Sequence, residues 1–145
     1  MESQVFNRYE LYAAGAFGNG IGACSWYAID TESRDLRNCK GTMVGPTSSL
    51  SRMRLRAMFE GLYRIPVGST VTLYSELSGP YVGDEDIKSA IRQVVRERRL
   101  TVTRAEIALT DPQDLPWLPG EILWVTTLWA QEALNKNQHE IDKTE

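Results

Sequence analysis

Two cysteines, one histidine and six prolines are all that this 145-residue chain holds of those types, and each scarcity removes a class of protein. Cys24 and Cys39 form no Cys-x-x-Cys pair, so they read as two reduced structural thiols of a cytoplasmic protein. His139 stands alone in a polar stretch. Zinc sites need clustered His and Cys, and a Ser–His triad needs an imidazole near its serine, so neither chemistry is expected. Long apolar runs are missing too. The longest, Ile122 to Ala130, spans nine residues and contains two threonines; a membrane-crossing helix needs ~20 apolar residues. Met1-Glu2-Ser3-Gln4 lacks the basic start and apolar run of a secretory signal. The glycines between Gly15 and Gly22 are followed by neither a Lys-Ser/Thr pair nor a helix, so they read as a hairpin turn and not a phosphate loop.

Apolar side chains make up 42% of the sequence, with aromatics spread from Tyr9 to Trp129. That is enough for one folded domain of roughly 68% buried surface without staples. The domain is expected over 1–137, with 138–145 a polar tail. Residues 5–14, 21–30 and 36–44 read as strands separated by turns, hence an antiparallel meander. Gly45-Pro46-Thr47-Ser48-Ser49 then stops the pattern and offers capping hydroxyls. From Leu50 to Tyr63, apolar residues recur every three or four positions, which predicts a helix. Val71 to Ser75 is a fourth strand, and a helix opens at Asp84-Glu85-Asp86, where acids suit the helix dipole. A fifth strand at 100–109, a Pro-rich loop at 111–120 and a last helix from Glu121 to about Asn137 complete the chain. The order β-β-β-α-β-α-β-α predicts a mixed five-stranded α/β sheet, three strands antiparallel and the later ones parallel, flanked by helices.

Three local sequences sharpen that expectation. Glu10-Leu11-Tyr12-Ala13-Ala14-Gly15-Ala16 before Gly18-Asn19 resembles the first strand of the ribonuclease H-like superfamily, which reads "T-D-G-s" before a Gly/Asn turn. Ser51-Arg52-Met53-Arg54-Leu55-Arg56-Ala57 resembles its first helix, "N-R-M-E-L-x-A", and Val71 to Glu76 its fourth strand, ending "T-D-S". Tyr81-Val82 matches the "Y-V" that follows. The resemblance covers about Tyr9 to Val82 and is topological afterwards. It implies the ribonuclease H-like fold and, in relatives such as ribonuclease HI, hydrolysis of the RNA strand of an RNA–DNA hybrid by two divalent ions.

That chemistry needs several carboxylates converging on ions ~3.5–4 Å apart. At the matching positions this sequence has Ala14, Arg54 and Glu76. A guanidinium near a divalent ion is repelled by several kcal/mol, on the order given by Coulomb's law at an effective dielectric of 20. The resemblance therefore implies a catalytically empty domain without a metal, kept as a nucleic-acid-binding or protein-interaction module. Its alternative is a Mg²⁺- or Mn²⁺-dependent nuclease with a rearranged site drawn from Glu76, Glu121 and Asp84 or Asp86.

The net charge of −3, from 16 basic and 19 acidic side chains, hides segregation. Arg52, Arg54 and Arg56 share one helix; Lys88, Arg92, Arg96 and Arg99 follow spacings of four, four and three on the next, expected opposite its apolar face. These seven are candidates for contact with an RNA–DNA hybrid or another nucleic acid. Two plainer readings stand beside that one: Arg54 pairs with Glu76, and the stripe is a solvated helix face. Trp26, Trp124 and Trp129 read as core, with the helix of the latter two an alternative protein-binding face. Trp117, between prolines, is a candidate for base stacking. The sequence leaves the partner and the oligomeric state open.

Overall fold

The computed structural model describes residues 8–31, 40–47, 49–77, 83–109 and 118–143. Five strands and three helices follow one another as β1 (Arg8–Gly18), β2 (Ile21–Asp30), β3 (Lys40–Pro46), α1 (Leu50–Arg64), β4 (Thr70–Glu76), α2 (Glu85–Glu97), β5 (Thr101–Ile107) and α3 (Leu118–Lys143). The sheet order is β3-β2-β1-β4-β5. β2 runs antiparallel to both neighbours, whereas β1, β4 and β5 are mutually parallel, as crossovers through helices require.

Two boundaries differ from expectation. β1 runs on through the glycines to Gly18, because alternating small residues are good strand material when both faces are covered. The turn is only Asn19-Gly20, both with positive φ (56° and 75°), and two such residues make the tight hairpin turn whose twist matches the strands. α3 begins at Leu118 and continues to Lys143, so the end of the Pro-rich loop and most of the supposed tail are helical. Pro119 falls in the first turn, where proline's missing N–H costs nothing. The rest of that loop, with Trp117, lies outside the described residues, as do Cys39 and the Tyr81-Val82 pair.

β1 is the spine. Six consecutive residues, Leu11 to Ala16, are buried, because α1 covers one face and α3 the other. Leu11 and Ala13 join Leu55, Met58, Leu62, Val71 and Leu73 in the core under α1. Tyr12 points the opposite way, against Ile107 and Leu123, and its ring stacks on Tyr74 at 4.9 Å. Burial and the neighbouring Glu10 carboxylate push the Tyr12 phenol well above its ordinary pKa. Small residues let α1 come close: a Cβ on Gly15 would stand 3.1 Å from the Arg54 backbone nitrogen and 3.2 Å from the Met53 Cβ. On the far side the Ser25 hydroxyl donates to the Thr126 carbonyl of α3, which pins that helix to β2.

Both helices on the α1 face are tied at their starts. Ser49 caps α1 by accepting from the Arg52 N–H at 3.0 Å. The Arg52 side chain then clamps α2, donating to Asp84 at 3.0 Å and to Asp86 at 2.7 Å. Asp84 stands before α2 with φ 56° and makes no capping bond of its own, its carboxylate being held by Arg52. The guanidinium hydrogen bond also holds the Asp86 carboxyl down to about 2.

Candidate functional site

The parallel pairing of β1 with β4 ends at Tyr12 and Tyr74. Beyond that step the strands part, and a cleft of about 430 Å³ opens at their carboxyl ends. That is where open α/β sheets place their ligands. Two residues past the last pair, β1 carries Ala14 and β4 carries Glu76, so both share one face by the two-residue period of a strand. α1 brings Arg54 alongside Gly15. Arg54 and Glu76 thus meet at the cleft, whereas Ala14 shares the strand face of Glu76 but is not among the residues that line the cleft.

What they make there is an ion pair. Arg54 Nη2 donates to Glu76 Oε2 at 2.6 Å, with the two side chains 11% and 32% exposed. Ala14 is 4% exposed and offers no polar side-chain atom. The opposite wall comes from α3 through Thr127, Gln131 and Asn135. Those three are spaced four apart and so line one helical face, a polar periodicity legible in the sequence but not singled out from it.

The carboxylates of the alternative nuclease site do not gather with Glu76. Asp84 and Asp86 are held by Arg52. Glu121 borders a different hollow, between Tyr27, Lys40 and Trp129. Among the described residues no three His, Cys, Asp or Glu side chains stand together as a metal-holding group.

The basic candidates divide. The three candidate arginines of α1 are all engaged: Arg52 with the two aspartates, Arg54 with Glu76, Arg56 with Glu60 at 2.9 Å. On α2, Lys88 and Arg92 approach Glu85 loosely, at 3.6 and 3.9 Å. Arg96 and Arg99 have no acidic partner among the described residues. The stripe is not turned away from the apolar side of the helix: Lys88, Arg92, Arg96 and Arg99 line the same groove as Ile91 and Val95. The physical reason is that α2 leans on α1, leaving one flank of its apolar face uncovered.

The tryptophans follow the core reading in part. Trp26 is buried, with the Arg64 guanidinium 4.8 Å above its ring. Trp129 is half-buried on Tyr27, ring centroids 5.5 Å apart, with the Lys40 ammonium 5.4 Å over it. Cys24 is buried, free and pushed up to about 12 by that burial, an inert thiol.

No family model and no curated protein matches this chain. Solved structures do. The N-terminal RNase H domain of a Mycobacterium tuberculosis protein, solved as a fusion with maltose-binding protein, superposes with a TM-score of 0.55 at 9% identity, over 69% of this chain and 83% of that one. RNase H1 from the halophilic archaeon Halobacterium salinarum NRC-1 aligns at 13% identity over 68% of this chain and 86% of that one, with a TM-score of 0.48. With the sheet order and element sequence, the first of these establishes that the chain has the ribonuclease H-like fold.

Proposed function

We propose that this chain is a ribonuclease H-like domain that has given up cleavage and acts by binding. The observation that carries the reading is the Arg54–Glu76 pair, formed by two of the positions that the ribonuclease H resemblance matches to metal-binding carboxylates. The residues present do not fit a pair of divalent ions. Among the described residues the cleft offers one carboxylate, and that carboxylate already accepts from a guanidinium. A divalent ion ~4 Å from Arg54 meets a repulsion of about 8 kcal/mol at an effective dielectric of 20. A single carboxylate cannot offset both that repulsion and the mutual repulsion of two ions.

The experiment is a cleavage assay with an RNA–DNA hybrid in Mg²⁺ and in Mn²⁺, alongside calorimetric titration of each ion. No cleavage and no millimolar ion uptake is the expected result. Metal-dependent cleavage abolished by Glu76→Gln overturns the proposal.

What the domain binds is narrowed by the pairing of its arginines. With Arg52, Arg54 and Arg56 committed to acids, α1 offers little free charge to a phosphate backbone. The open positive charge is on α2, where Arg96 and Arg99 border an apolar groove.

A further inference from the structure

α2 packs against α1 and not across β4 and β5, so a groove of about 930 Å³ remains between the two helices and the outer strands. Its floor is aliphatic, formed by the half-buried Ile91, Val95 and Val102 beside the buried Leu62 and Leu73. Its rim is cationic: Lys88, Arg92 and Arg96 along α2, Arg99 just past its end, and Arg104 on β5. Among the described residues no acidic side chain lines it.

We propose that this groove receives an acidic amphipathic helix of a partner protein. The proposal rests on the reading of the domain as a non-cleaving binding module and names the partner of that module.

The layout of charge selects the occupant. From Lys88 to Arg96 the α2 cations are strung over about 12 Å at 1.5 Å per residue, and Arg99 follows just past the helix end. A single phosphate or lipid headgroup engages one or two converging cations. A row of this length matches carboxylates repeating every three or four residues on a helix laid along it. Glu85 reaches Arg92 only at 3.9 Å, and Arg96 and Arg99 have no acidic partner among the described residues, so an incoming carboxylate displaces little at these three.

The floor selects as well. It contains Leu, Met, Ile and Val but no aromatic ring, and so offers no platform for unpaired bases. A nucleic-acid backbone tracking the cations leaves this aliphatic surface in water. An amphipathic helix covers it, and burial of apolar area supplies the affinity while the rim sets orientation.

The test is fluorescence anisotropy with a labelled helical peptide of about 18 residues, five turns, built from Glu, Leu and Ala with leucines at i, i+3, i+4 and i+7. Its scrambled isomer, a Lys-for-Glu analogue and an RNA–DNA hybrid are the comparisons. The amphipathic acidic peptide is expected to bind at least about tenfold more tightly than either peptide control. Arg96→Glu, at an exposed position, weakens that binding about tenfold. Lys136→Glu, the same charge change on α3 across the sheet, leaves it unchanged. Equal binding of the scrambled isomer overturns the proposal in favour of plain charge attraction. A hybrid that binds through Arg96 while the peptide does not overturns it in favour of a nucleic-acid surface. Self-association lost in Arg96→Glu, without peptide binding, overturns it in favour of a second copy. Cleavage of the hybrid defeats the binding-module reading whatever the peptide does; absence of both cleavage and peptide binding defeats the groove assignment alone.

Discussion

Arg54 is the residue on which the functional reading turns, and its role separates into two measurable parts. As a structural charge, it shares a hydrogen-bonded pair with Glu76 that is only partly open to water. Removing one partner strands the other, at a cost of about 1–3 kcal/mol. Arg54→Met is therefore expected to lower stability by that amount in urea unfolding. Adding Glu76→Leu recovers most of it, since apolar replacement of a whole pair is often near neutral. Additive losses in the double-mutant cycle contradict the pair. On the proposed reading Arg54 is also a blocking charge, standing in place of a carboxylate that would join Glu76 and position 14 in holding metal. Ala14→Asp with Arg54→Glu puts carboxylates at all three matched positions. The double variant is expected to gain a Tm increase on addition of Mn²⁺ that the parent protein lacks, by linkage of binding to folding. Identical metal responses in the two proteins contradict that reading of Arg54.

Between elements, the decisive contact is the Arg52 clamp that ties the start of α2 to α1. Asp86 has its carboxyl held down to about 2 against an ordinary aspartate value of 3.8, chiefly by the Arg52 hydrogen bond. A group with a depressed folded-state pKa adds stability above its unfolded value and loses it as pH falls through the folded one. The clamp's contribution is therefore whole above about pH 4 and fades towards pH 2. Asp86→Asn is expected to flatten the fall of Tm with pH across that window and to leave higher pH with a constant deficit. A parallel, undiminished slope in the variant rules the clamp out as its source. The same contact explains why α2 leans on α1, which is what leaves the groove over β4 and β5 open.

Across the whole molecule, stability is expected to be uneven. β1 is covered on both faces and paired on both edges, with Leu11 to Ala16 all buried. α2 has one fully buried residue, Val94. Hydrogen exchange is expected to find the slowest amides in the middle of β1 and β2. Those of α2 should open at a free energy well below global unfolding. Equal protection of α2 and β1 contradicts that hierarchy. It also suits the groove, since one of its walls is the least anchored helix and can adjust to an occupant.

The amino-acid sequence by itself carried the element order, the change from period two to period three or four at Leu50, and the three matched positions Ala14, Arg54 and Glu76. These are legible because strand and helix periods are local, and because a charge reversal within a motif needs no coordinates to be seen. The glycines of β1 misled, since a glycine that ends a strand looks the same as one admitting a helix to close packing. Only the tertiary structure decided which charges remain free. Seven basic residues looked alike along the chain, yet Arg52, Arg54 and Arg56 met acids distant in sequence or one helical turn away, while Arg96 and Arg99 met none among the described residues. The reason is physical: a side chain's charge belongs to the sequence, but its availability depends on which groups the fold places within about 4 Å of it.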